Sequence, residues 1–293
     1  MIDMQCIVDA QALLGEGACW DPKAQCLWWL DIFAHRIHRY DPATRLSATV
    51  PTPEAPGCLA VREGGGLVIS MASGFFFFDP NTGVFESIID PEAELPQTRF
   101  NDGKTDRQGR FWSGTTFDAP AQPMQKIGAL YRLDVDRSCH RMIEGIGISN
   151  GLAWSPDSSS MYFTDSCGSK IWVWDFDRKS GGIENQRVFA DLDFIHGVGD
   201  GATVDAEGCY WVTVPFKGKV LRFDPSGQVM RIIELPTDVP TCCEFGGREL
   251  DILYVTTATL RRSQSELAGQ SYPGGLWAVN AGVKGLPACA FRG

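Results

Sequence analysis

A unit of two short β-rich runs joined by a turn recurs six times along the chain, and this repeat constrains the fold more than any single motif does. Its clearest copy spans residues 148–166: Ser149, Asn150 and Gly151 open it, Leu152, Ala153 and Trp154 follow, and Ser155, Pro156 and Asp157 mark the turn. A second run, Met161 to Thr164, ends at Asp165. Apolar and aromatic runs separated by Pro, Asp and Ser read as a hairpin. The second run returns as Leu27-Trp28-Trp29, Leu67-Val68-Ile69, Phe111-Trp112-Ser113, Tyr210-Trp211-Val212 and Leu253-Tyr254-Val255, so that successive copies start 40, 44, 50, 49 and 43 residues apart. A strand repeat near 45 residues is the period of a propeller blade. Most copies continue into a third strand that ends in an acid, as in Arg39-Tyr40-Asp41, Phe77-Phe78-Asp79, Arg132-Leu133-Asp134, Val173-Trp174-Asp175 and Arg222-Phe223-Asp224, and Leu276-Trp277-Ala278 closes the series. The sequence thus predicts an all-β, six-bladed β-propeller that takes up residues 1–293 as a single domain. Gln5 to Asp9 alternate apolar and polar, and would close the ring by pairing with the last blade, because an open ring leaves bare strand edges.

The repeat gives meaning to a set of polar residues. About ten residues before the second strand lie Gly15-Glu16-Gly17, Asn101-Asp102-Gly103, Asn150-Gly151 and Asp200-Gly201, in the first, third, fourth and fifth units. The first strand of a blade lines the central axis, so equivalent strand starts form a ring at one mouth of the channel. Glu16, Asn101, Asp102, Asn150 and Asp200 are therefore expected to converge. The connections from second to third strand return to the same mouth. Two of these are long, 117–127 and 259–273, and are candidates for a lid.

Composition narrows the partners. A net charge of −10 without a basic cluster argues against nucleic acid, and no apolar run is long enough for a membrane helix. The first ten residues carry Asp3, Gln5 and Asp9 and do not read as a secretory signal. Ten cysteines without CxxC spacing read as reduced thiols in a cytoplasmic protein. Of the four histidines, His35 and His38 flank the first unit's third strand as surface or packing residues, His140 has no metal-binding spacing, and His196 stands beside the Asp200 strand start.

Two pattern matches are refused on mechanical grounds. Gly147-Ile148-Ser149-Asn150-Gly151 fits GxSxG, but that nucleophile needs a strand turning sharply into a helix, and a hairpin follows here. Gly197-Val198-Gly199-Asp200-Gly201-Ala202 fits a loose GxGxxA, again without a helix to face a pyrophosphate.

Glu16, Asn150 and Asp200 offer oxygen donors alone, two of them charged, which suits Ca²⁺, Mg²⁺ or Mn²⁺ and admits Zn²⁺. Any one of them by itself reads as a cap on nearby backbone N–H groups; the shared phase of the set favours a cation in the channel. Arg99 adds a donor fork for polar oxygens. A cation, an arginine, an amide and carboxylates around one mouth suggest an oxygen-rich ligand, such as a sugar acid or its lactone.

Taken together, Gly15-Glu16-Gly17, Arg99-Phe100-Asn101-Asp102-Gly103-Lys104, Ser149-Asn150-Gly151-Leu152, Gly199-Asp200-Gly201 and Phe245-Gly246-Gly247, with Leu253-Tyr254-Val255-Thr256-Thr257, resemble the SMP-30/gluconolactonase (regucalcin-like) family over almost the full chain. The resemblance implies a six-bladed propeller with one divalent metal ion (calcium, zinc, manganese, magnesium or iron) held by Glu16, Asn150 and Asp200, and no organic cofactor. It places substrate contacts on Arg99 and Asn101. The family's acidic contact in the third-blade loop falls on Asp118, where Phe117-Asp118-Ala119-Pro120 departs from the usual sequence. The expected activity is hydrolysis of a pentono- or hexono-lactone, a small-molecule sugar lactone, to its aldonic acid, with Asp200 as the base. Two alternatives stand beside it: a calcium-binding regulatory protein of the regucalcin type, and a promiscuous esterase or organophosphate hydrolase on the same propeller.

Overall fold

In a computed structural model that describes residues 3–293, the strands form six four-stranded antiparallel sheets. Blade one is Gly15–Asp21, Cys26–Asp31, Arg36–Asp41 and Leu46–Pro51; blade two runs from Pro56–Val61 to Val84–Ile89; blade three from Thr98–Thr105 to Cys139–Ile146. Blade four runs from Ser149–Trp154 to Gly182–Asp191 and blade five from Ala202–Val204 to Val229–Glu234. Blade six combines Pro240–Gly246, Ile252–Thr257 and Leu276–Asn280 with Met4–Val8, which pairs antiparallel to Leu276–Asn280 and so closes the ring as the sequence leads one to expect. One strand differs from expectation. The third strand of blade four does not stop at Asp175 but runs Lys170–Asp177, because Phe176 turns inward and is buried against Trp112 and Trp154.

Burial falls from the axis outward. Phe111–Phe117 is buried along its whole length, whereas Val84–Ile89, an outermost strand, is largely exposed. The apolar core consequently lies in six wedges between neighbouring blades; Cys26, Trp28 and Leu30 of blade one, for example, pack on Leu59, Leu67 and Ile69 of blade two. Each wedge needs both of its blades, so no blade is stable without a closed ring.

The segment 285–293 repeats nothing, yet it crosses the lower end of the ring. Gly285 bridges to Asp205 of blade five, Phe291 bridges to Arg62 of blade two, and Arg292 N donates to Gly109 O of blade three at 3.0 Å. The Phe291 ring is fully buried among Phe77, Phe111 and their neighbours. All ten cysteines are free; five are buried, and Cys167 is exposed. Phe291→Ala should destabilise the fold by about 3–5 kcal/mol, the usual cost of emptying a buried aromatic site. Urea unfolding measures it, and a loss below about 1 kcal/mol would show that the crossing segment is not part of the core.

Candidate functional site

The first strands are bulged where they carry the polar residues. Register shifts separate Glu16 from Cys19, Phe100 from Gly103 and Asn150 from Ala153. A bulge bends its strand and re-aims the side chain beside it. Gly17 and Gly151, the residues after Glu16 and Asn150, have φ of 60° and 67°, a left-handed conformation that a side chain would strain. The Glu-Gly and Asn-Gly pairs seen in sequence are thus the means by which an extended strand turns a polar group toward the axis.

At the axis the Glu16 and Asp200 carboxyls, from blades one and five, lie close enough for the charge of Asp200 to act on Glu16. Burial raises both well above the ordinary carboxylate range; the charges of Asp200 and Asp102 add to the effect on Glu16, and Asp102 adds to that on Asp200. Glu16 Oε2 also accepts from Gly17 N at 3.1 Å. Asn150 is oriented by its own network. Its Nδ2 donates to Ser166 Oγ at 2.8 Å, and Ser166 Oγ donates to Gly199 O at 2.6 Å. That leaves Asn150 Oδ1 facing Asn101, whose Nδ2 donates to it at 3.1 Å and to Ser149 O at 2.9 Å. Asn101 Oδ1 accepts from Arg99 Nη1 at 2.9 Å, and Arg99 Nε lies 3.2 Å from Asp118 Oδ2, an ion pair in which the N–H is not aimed at the oxygen. Asp118, Arg99, Asn101, Asn150, Ser166 and the Gly199 carbonyl therefore form one polar chain across blades three to five, leading to the residue before Asp200.

Of the residues singled out from the sequence, all but Asp102 thus reach one mouth: Glu16 and Asp200 as neighbours at the axis, Asn150 and Asn101 bonded to each other, Arg99 and Asp118 at the outer end. Arg99, Asn101, Asn150 and Glu16 are buried, Asp200 is partly open and Asp118 is exposed. None of the four histidines joins them. His38 is buried on the face of Trp29 at 4.0 Å, where burial lowers its pKa to about 4, and His140 and His196 are exposed beside Asp134 and Asp193.

The donors could hold a hard cation. Among the described residues no three His, Cys, Asp or Glu side chains come together as a ligand group, so a cation at Glu16 and Asp200 requires the Asn150 amide as its third ligand. The chemistry of the set fits. Neighbouring carboxyls of which Glu16 is buried are costly to charge together without a cation or a proton near them, and Asn150 Oδ1 keeps one lone pair beyond the bond from Asn101. Asp102 does not join this group. It lines a cavity of about 70 Å³ together with Lys104, Thr203, Cys242 and Glu244, beside Leu286, Pro287 and Cys289 of the C-terminal segment. Lys104 Nζ pairs with Glu244 Oε2 at 2.5 Å, and Thr203 donates to Glu244 Oε1 at 3.2 Å. Burial acts to lower the Lys104 pKa, but Glu244, Cys242 and Asp102 outweigh it and hold the ammonium above its usual value. Sequence reasoning missed this internal ion pair and Ser166; a lone lysine on an axis-lining strand was the available signal, since a buried ammonium needs an anion.

With the geometry in view, comparison with known proteins places the chain. The model of the SMP-30/Gluconolactonase/LRE-like region matches residues 14–259, and the protein belongs to that family. It is 35% identical over 294 residues to a 6-deoxy-6-sulfogluconolactonase of Pseudomonas putida, covering 99% of both chains, and 33% identical to regucalcin of Xenopus laevis over 100% of this chain and 99% of that one. Among solved structures, a calcium-binding protein, regucalcin, from Agrobacterium tumefaciens superposes with a TM-score of 0.94 at 27% identity, covering 99% of this chain and 98% of that one.

The burial of these two neighbouring carboxyls sets a pH dependence of definite sign. Both groups have folded-state pKa values above their ordinary values of 4.5 and 3.8, so they favour the fold at acid pH and this contribution is lost as pH rises through the raised values. Chelator-treated protein should therefore melt at progressively lower temperature from pH 5 to pH 8. Glu16→Gln should flatten that slope, as should a divalent cation. Identical melting curves with and without cation at both pH values would show that the pair does not bind one.

Proposed function

We propose that the protein is a sugar lactonase that depends on a divalent cation held by Glu16, Asn150 and Asp200. The observation that carries the proposal is the Arg99–Asn101–Asn150–Ser166 network, which orients an amide at the mouth where the Glu16 and Asp200 carboxyls neighbour each other. Family membership supports it, as does the name of the Pseudomonas putida relative, a lactonase of a sugar acid. A bound divalent cation supplies Lewis-acid polarisation of a carbonyl and makes water more acidic.

The chain's own residues account for the rest of the reaction. Arg99 spends Nη1 on Phe100 O and Asn101 Oδ1, which leaves Nη2 to donate to a sugar oxygen. Asn101 uses both Nδ2 hydrogens on Ser149 O and Asn150 Oδ1, so it acts chiefly by fixing Arg99 and Asn150 relative to each other. Asp118 is exposed beside Arg99, where it can accept a hydroxyl hydrogen and holds the guanidinium in place. Asp200, partly open to the mouth, accepts a proton from the attacking water as the new C–O bond forms, then returns it to the ring oxygen as the lactone C–O bond breaks. The products are a free hydroxyl and a carboxylic acid, which ionises and releases the second water proton to solvent. With no histidine in the network, a carboxylate is the available base.

Two linked measurements test this. Proton release from a panel of pentono- and hexono-lactones, corrected for spontaneous hydrolysis, should stop with chelator and return when metal is added back; Mn²⁺, Ca²⁺, Zn²⁺ and Mg²⁺ in parallel identify the effective ion. Asp200→Asn keeps an oxygen ligand but cannot take the proton, so kcat should fall by about 10²- to 10⁴-fold with metal content at least partly kept. Chelator-insensitive turnover would remove the cation from the proposal. Turnover of metal-loaded Asp200→Asn within a few-fold of the parent would move the base elsewhere, with Asp102 the next candidate.

A further inference from the structure

Four aromatic side chains among the described residues are more than a third exposed: Phe33, Phe194, Phe216 and Tyr272. All four lie on loops at the mouth that holds Glu16 and Asp200. Phe33 and Phe216 sit in the second-to-third strand turns of blades one and five, Tyr272 in the long connection of blade six, and Phe194 in the short 3₁₀ turn Leu192–Ile195 between blades four and five. At the opposite end the exposed apolar residues are aliphatic, as at Leu46, Val84, Val135 and Val229. Exposing aromatic surface is unfavourable in water, and its confinement to one end marks the mouth as the place where something covers it.

Phe33 differs from the other three in its neighbour. Phe216 lies under Arg262 and Tyr272 against Trp277, away from the polar chain of the site. The Phe33 ring centroid is 5.4 Å from the guanidinium carbon of Arg99, the residue bonded to Asn101 and paired with Asp118. Its loop is also fixed. The buried Asp31 carboxylate accepts from Leu13 N, Leu14 N and Ala34 N at 2.9–3.1 Å, Ile32 N donates to Leu14 O at 2.9 Å, and Thr52 N donates to His35 O at 2.8 Å. A ring that is 37% exposed on a loop tied down at both ends is an apolar surface held ready rather than one that folds away on its own.

From this juxtaposition we infer that Phe33 is the stacking platform of the substrate subsite, taking the C–H face of a sugar ring while Arg99 and Asp118 bind its hydroxyl edge. The inference rests on the sugar-lactone reading and deepens it. A sugar ring has an apolar C–H face and a polar rim, and an aromatic ring set beside a donor fork matches both at once. Phe33 is thereby a specificity-determining residue: it favours lactones whose C–H groups lie together on one face over those with hydroxyls on both faces.

The test uses lactams of a hexonic and a pentonic acid, which keep the ring and hydroxyls but are not turned over as lactones are. Their binding to the metal-loaded parent, Phe33→Ala, Phe33→Leu and Phe33→Trp is measured by calorimetry and by the ring-current shifts of the sugar C–H protons in NMR. Phe33→Leu keeps apolar bulk over Arg99 and removes only the aromatic face, which separates stacking from mere shielding. Expected are a three- to tenfold rise in Kd, about what one aromatic face contributes, for both Ala and Leu, loss of the upfield C–H shifts, and retention of both in Trp. Phe33→Leu binding as tightly as the parent overturns the inference while leaving the lactonase intact, whether or not Phe33→Ala is impaired. A parent protein that neither binds the lactams nor hydrolyses any sugar lactone overturns the functional reading, and this inference with it.

Discussion

The juxtaposition of Glu16 and Asp200 at the axis is the constraint around which the rest of the molecule makes sense. The two residues are 184 positions apart, from 200 minus 16, and meet only because six wedges of core close into a ring. Placing two carboxyls together in a buried site opposes folding by several kcal/mol unless a positive species accompanies them. The scaffold supplies that stability elsewhere, in the fully buried Trp20, Trp29, Trp112 and Trp211 of the inner strands and in the Met4–Val8 strand that completes blade six. Rigid β-structure on every side is what prevents the pair from relaxing apart.

Second-layer contacts then convert a ring of polar residues into a directed site. Ser166 fixes which face of the Asn150 amide looks inward, and Asn101 transmits the position of Arg99 to that amide. Such outer partners orient ligands and preorganise a site. Deeper in the channel the Lys104–Glu244 pair places a tethered positive charge near Asp102, which eases but does not cancel the cost of burying that carboxyl. The crossing segment 285–293 runs across the lower end. The polar network and the aromatic rim share the opposite mouth.

How much of this was legible in the sequence differs by layer. The blades were, because a strand period near 45 residues survives divergence in every side chain that merely fills a wedge. Of the five residues expected to converge from their common phase, Glu16, Asn101, Asn150 and Asp200 do so and Asp102 lines the cavity below instead, while the glycines after Glu16 and Asn150 carried the local signal of the bulge. Asp118 was harder, since the loop around it departs from the family pattern, yet its carboxylate stands beside Arg99. What stayed hidden lies outside the repeat. Glu244 meets Lys104 across 140 residues, and 285–293 has no phase to align. The end of the fourth blade's third strand was misplaced because an acid at Asp175 looks like a stop, while burial of Phe176 one residue later keeps the strand going. Single-residue signals are overridden by packing that a linear reading does not contain.

The central claim is that the carboxyl pair and the Asn150 amide form one cation site at the axis. Anomalous diffraction from a crystal grown with Mn²⁺ tests it most directly. The account predicts a single strong peak with Glu16, Asn150 and Asp200 oxygens at about 2.0–2.6 Å and with Lys104 still paired to Glu244. A peak centred between Asp102 and Glu244, or no peak near Glu16 and Asp200 in a protein that remains an active lactonase, would contradict it.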